Sequence, residues 1–100
     1  MIVVNGRLTI DPASLPAIKD ALATMETASR AEAGCHDYTF SVEVNDAAQM
    51  RITESWESVE ALQAHFATPH MAEFRKTLAA HPPNSSDVKF YEVNEINPMG

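Results

Sequence analysis

Residues 54–74 read ESWESVEALQAHFATPHMAEF, and they hold the end of one element, all of a second and the start of a third. Glu54 and Trp56 continue an alternation begun by Met50 and Ile52, which is the two-residue period of a strand. Ser58 then offers an oxygen to cap a helix carrying Val59, Leu62 and Phe66. Thr68-Pro69 breaks that helix, because Thr is a good cap and Pro is tolerated only in a first turn. A second helix therefore starts there, with Met71, Phe74 and Leu78 along its inner side.

The rest of the chain supplies what this strand and broken helix pack against. Residues 2–10 alternate, with Ile2, Val4, Leu8 and Ile10 on one face and Asn5, Arg7 and Thr9 on the other; Gly6 falls on the apolar face. Asp11-Pro12 and Ser14 provide helix-start chemistry, and Leu15, Ile18, Leu22 and Met25 follow at helical spacing until Gly34 offers a left-handed stop. Residues 35–44 send His36, Tyr38, Phe40, Val42 and Val44 one way, and Asn45-Asp46 marks a turn into the third strand. Pro82-Pro83 ends the second short helix, and a last strand over residues 87–94 places Val88 and Phe90 on one side and Tyr91 and Val93 on the other. Strand, helix, two strands, broken helix, strand predicts an α+β, ferredoxin-like fold: a four-stranded antiparallel sheet with helices on one face, in a single domain over residues 1–100.

The chain's 100 residues suffice for one core, which any site must share. Fourteen acidic residues against seven Lys and Arg give a net charge of −7, the wrong sign for binding nucleic acid or an anionic membrane. No run of about 18 apolar residues is present, and MIVVNGRLTI alternates like a strand, unlike a secretion signal. Cys35 is the only cysteine, so no internal disulfide forms; a cytoplasmic protein is expected.

Several polar groups point toward the predicted core: His36, Tyr38, Glu54, Trp56, and His65, which lies three residues after Leu62. Each would cost about 1–3 kcal/mol if buried without a partner, so they must satisfy one another, water or a ligand. A small polar-lined pocket between sheet and helices is the expected outcome, with Gly6 either leaving room above the first strand or marking a bulge in it. His65 and His70 straddle the helix break, and no Cys or carboxylate cluster in the sequence completes a ligand set around them, so no metal is expected. Their plain reading is that His65 closes one helix, where an imidazolium suits the dipole, and His70 sits in the first turn of the next.

Gly34-Cys35-His36-x-Tyr38, Glu54-x-Trp56-Glu57-Ser58 and Leu62-x-Ala64-His65-x-x-Thr68-Pro69-His70-Met71, in this order, resemble the antibiotic biosynthesis monooxygenase superfamily, particularly its quinol monooxygenase branch. The likeness runs from residue 1 to about 93. It implies a homodimer of the dimeric α/β-barrel type, and the apolar Val3, Tyr91 and Val93 on the open side of the sheet fit a covered face. It also implies oxygenation of a small hydroxylated aromatic, a quinol or anthrone, by dioxygen without flavin, metal or haem. A base would remove a phenolic proton and the anion would pass an electron to dioxygen. An imidazole suits that step. On this resemblance the base is His65, then His36, with Trp56, Phe66 and Phe74 as walls and Tyr38, Glu54 and His70 as orienting groups; Gly6, for the room it would leave, is counted with the substrate-binding residues. Related members include an isomerase, so a small-molecule-binding or stress-response module or an isomerase is the alternative. The haem-degrading branch carries an Asn, a Trp and a His where this chain has Gly6, His65 and Arg75, which disfavours haem degradation.

Overall fold

A computed structural model describes residues 1–100. Strand β1 (Ile2–Thr9) leads through a single 3-10 turn into helix α1 (Leu15–Arg30), followed by β2 (Cys35–Glu43), β3 (Asp46–Trp56), α2 (Val59–Phe66), α3 (Pro69–Ala80) and β4 (Ser85–Glu92). The strands form one sheet in the order β2-β3-β1-β4 with every neighbour antiparallel, which is the ferredoxin-like α+β arrangement.

Local chemistry sets most element ends. Asp11 caps the 3-10 turn by accepting from the Ala13 amide, whereas Ser14 makes no capping bond of its own. Gly34 takes φ of 81° beyond the end of α1, a conformation that an added Cβ would disfavour. Ser58 accepts from the Ala61 amide at the start of α2. Thr68 works in both directions, accepting from the Met71 amide of α3 at 3.3 Å and donating to the His65 carbonyl at the end of α2 at 2.8 Å. The helix break is therefore a fixed corner, and it holds His65 and His70 on adjoining turns.

The core gathers 13 apolar side chains from β1, β2, β3 and all three helices, among them Val4, Ile18, Met25, Tyr38, Met50, Trp56 and Leu62. Ile18, Leu22, Met25 and Ser29 are the buried stripe of α1. Burial stops short of both ends of the predicted inward rows. Val44 is fully exposed at the tip of the β2–β3 hairpin, and Val42 is 39% exposed where it borders an open groove against α1. Every residue of β4 is exposed, Val88 and Phe90 included, although both lie on the helix side of the sheet opposite Gly6 and Val4.

Two expectations about the inward face are corrected. His36 does not begin an inward row: the β2–β3 register slips between Cys35 and Asp37, so His36 is the extra residue of a bulge and its ring turns to the surface. Gly6 opens no space. A Cβ there would stand 2.8 Å from Val88 Cγ2 and 2.9 Å from Ile52 Cγ2, so neighbours on both flanking strands already fill the volume above it.

Candidate active site

The site is built around a carboxylate on the turn between α1 and β2. After α1 ends, the Glu32 amide donates to the Ser29 carbonyl and the Cys35 amide to the Glu32 carbonyl, and Gly34 is tied to the end of β3 by the Glu57 amide. These bonds fix the turn beneath the α2–α3 corner. One oxygen of Glu32, Oε2, then meets His65 Nδ1 at 2.6 Å and His70 Nε2 at 2.8 Å. An ionised carboxylate only accepts, so both imidazole nitrogens facing it carry hydrogen.

That bond sets the tautomer of His65. With Nδ1 donating, a neutral ring leaves Nε2 as a bare lone pair, and Nε2 is buried without any hydrogen-bond partner. The ring is enclosed by aromatic side chains, with centroids 4.7 Å from Trp56, 5.3 Å from Tyr38 and 5.8 Å from Phe66. A buried nitrogen left unsatisfied costs about 1–3 kcal/mol, so its retention calls for an explanation, of which a catalytic role is one.

Below the ring, Tyr38 and Glu54 stand opposite each other on β2 and β3, with Trp56 two residues further along the same face. The Trp56 indole N–H donates to Glu54 Oε1 at 2.9 Å, so these two inward polar groups satisfy each other. Burial pushes the Glu54 carboxyl up to about 7; the indole bond opposes this and the nearby Glu32 charge adds to it. Burial, with the Glu54 charge next, also raises the Tyr38 phenol far above its ordinary range, so it stays a neutral hydroxyl. The buried Ser29 hydroxyl lies beside the phenol and partly opposes that rise. Cys35 is raised by partial burial and by the charges of Glu32 and Glu54, which keeps its thiol protonated.

The structure thus brings Tyr38, Glu54, Trp56, His65 and His70 together, leaves Phe66 and Phe74 at the margin of this set, and separates His36 and Gly6 from it. His36 pairs with Glu57 at 2.5 Å on the surface. Phe66 touches the His65 ring but is turned outward to meet Phe90, edge to face at 6.2 Å. Phe74 packs in the core against Phe40 and lines, with His70, Met25 and Ala21, a cleft of about 210 Å³ between α1 and α3. Glu32 and Ser29 were not expected. Glu32 sits among small residues in Ala31-Glu32-Ala33-Gly34, and its partners are 33 and 38 positions away, a separation that no local spacing reveals.

The hollow expected between sheet and helices is also corrected. His65 lines neither the α1–α3 cleft, which His70 borders, nor the groove of Ile2, Leu62, Phe66 and Phe90 at the β4 edge; aromatic rings pack around it. No helix is long and apolar enough to cross a membrane.

Comparison with known proteins agrees with this architecture. Residues 1–77 match the family model for antibiotic biosynthesis monooxygenases. An uncharacterised protein of Synechocystis is 28% identical over 98 residues, covering 98% of this chain and 67% of its own length. A crystal structure from Deinococcus radiodurans, provisionally named an antibiotic biosynthesis monooxygenase, superposes with a TM-score of 0.89 at 27% identity over 100% of both chains. Rv0793 of Mycobacterium tuberculosis shares the fold, with a TM-score of 0.84 at 23% identity over 95% of this chain and 96% of its own. The chain belongs to the antibiotic biosynthesis monooxygenase family.

Proposed function

We propose that this protein is a cofactor-independent monooxygenase that oxidises a small hydroxylated aromatic of the quinol or anthrone type with dioxygen, and that His65 is its base. The observation that carries this reading is the buried, unpartnered Nε2 of His65, whose lone pair Glu32 enforces from the other side of the ring. An orienting carboxylate behind an imidazole is a recurrent way to prepare a neutral base.

The chemistry balances without a cofactor. Nε2 takes a phenolic proton, and the anion gives one electron to dioxygen. The two radicals join through a new C–O bond, and the peroxide takes the proton back. Loss of water then leaves a carbonyl, so one oxygen atom ends in the product and one in water. The protein contributes the base, the aromatic enclosure of Tyr38, Trp56 and Phe66, and two hydrogen-bonding groups, the Tyr38 hydroxyl and the Glu54 carboxyl. Because the His65 side chain is 1% exposed, substrate must displace the side chains packed around it to reach Nε2. We also propose that the protein works as a cytoplasmic homodimer. Val3 and Tyr91 pair on the open face of the sheet, and Ile2, Leu62, Phe66 and Phe90 line an apolar groove of about 370 Å³ at its β4 edge.

The second reading is a small-molecule-binding or stress-response module, or an isomerase, on the same scaffold. An oxygen electrode separates the two. Uptake with a reduced naphthoquinone or anthrone, dependent on the protein and lost in His65→Gln, is expected. Ligand-induced thermal stabilisation with no uptake would replace the oxygenase reading by the second.

A further inference from the structure

Glu32, His65 and His70 come from three different elements, and each offers one donor atom within 4.8 Å of the other two. We propose that this trio is a binding site for a divalent transition ion of the zinc class. Two imidazoles and one carboxylate form a borderline-soft set that zinc-class ions prefer and that calcium and magnesium, which want oxygen cages, do not.

Coordination calls for a local rearrangement of side chains only. Glu32 Oε2 is 2.6 Å from His65 Nδ1 and 2.8 Å from His70 Nε2. Bonds of about 2.0–2.2 Å from a central ion put tetrahedral ligands about 3.3 Å apart, so the carboxylate must draw back by roughly 0.5–0.7 Å and the two imidazole nitrogens, within 4.8 Å of each other, must close by up to about 1.5 Å. His65, with its side chain 1% exposed, anchors the inner side of the site. Glu32 at 14% and His70 at 22% are partly open to solvent, and the α1–α3 cleft that His70 borders gives a route for the ion and for water as a fourth ligand. The chain's net charge of −7 favours a cation, and the ion would turn the trio's local charge from −1 to +1.

Binding replaces the hydrogens on His65 Nδ1 and His70 Nε2. In a neutral ring the proton moves to the other nitrogen, so metal at Nδ1 places hydrogen on Nε2 of His65 and removes its lone pair. On the reading of His65 as the base, an ion of this class is an inhibitor of the oxygenase and not its cofactor.

Cobalt(II) titration of the untagged protein tests the site without any substrate. The expected result is saturable one-to-one binding with the visible bands of four-coordinate cobalt, displaced by zinc and untouched by excess calcium or magnesium. Glu32→Gln and His70→Gln should each weaken it by at least the roughly 10–100-fold that loss of an outer-shell partner costs. Absence of saturable binding to the wild type, a six-coordinate spectrum, or binding unchanged in both variants would overturn the site, and the wild-type titration decides even if a variant fails to fold. Oxygen uptake is measured separately, so loss of the metal site leaves the oxygenase reading standing, and the reverse.

Discussion

Glu32 and His65 are 33 positions apart in the chain, and their 2.6 Å contact fixes which nitrogen of the buried imidazole carries its hydrogen. The same carboxylate oxygen holds His70 at 2.8 Å, so a single acidic side chain on a turn ties α1 to both short helices.

If His65 Nε2 is the base, His65→Gln lowers kcat by about 10²–10⁴-fold, the usual share of a positioned proton acceptor, with a much smaller change in KM. Oxygen-uptake kinetics on the two proteins check this. His36→Ala should leave kcat as it is and stability within about 0.5 kcal/mol, since its ring lies on the surface with Glu57.

Glu32→Ala removes the acceptor of two imidazole hydrogens, one of them in a side chain 1% exposed. Stranding that N–H costs about 1–3 kcal/mol, and thermal unfolding should show a Tm lower by roughly 4–8 °C for each kcal/mol lost. Glu32→Gln keeps an acceptor and should recover part of the loss in Tm while still impairing turnover, because an amide no longer enforces the His65 tautomer. Recovery of both together would show that Glu32 is a structural strut.

Glu54 gives stability a pH dependence opposite to that of an ion-paired carboxylate. Its folded pKa is about 7 against an ordinary 4.5, so between these values the folded state holds more protons than the unfolded one. Its contribution is therefore most favourable below about pH 4.5, declines as pH rises through 7 and is level above; the full loss is about 3 kcal/mol. Urea unfolding of wild type and Glu54→Gln at about pH 5 and pH 8 isolates the group. The gap between the two proteins should widen toward the higher pH, and an unchanged gap would mean that Glu54 titrates normally.

Gly6→Ala should destabilise by about 1–3 kcal/mol, because its Cβ meets Val88 Cγ2 at 2.8 Å and Ile52 Cγ2 at 2.9 Å. The neighbours that crowd it also supply the control. Adding Val88→Ala should return part of the loss, and a double-mutant cycle in denaturant measures that coupling.

The element order and the caps at Asp11, Ser58, Thr68 and Gly34 were legible because each rests on side chains within four positions of one another. Part of the site was legible for the same reason: strand alternation puts Tyr38 opposite Glu54 with Trp56 beside it, and the Thr68-Pro69 corner sets His65 near His70. His36 was misplaced because a single extra residue in β2 reverses the side a ring points to, and nothing in Cys35-His36-Asp37 announces that slip.

By itself the sequence determined the fold and the chemical inventory of the inner face, since period, capping and residue type act over short spans of chain. Only the tertiary structure decided which groups meet. It placed Glu32 behind His65, filled the volume above Gly6 and left β4 uncovered, because these outcomes depend on how distant segments share one packed interior, where every position competes with neighbours that the local pattern does not contain.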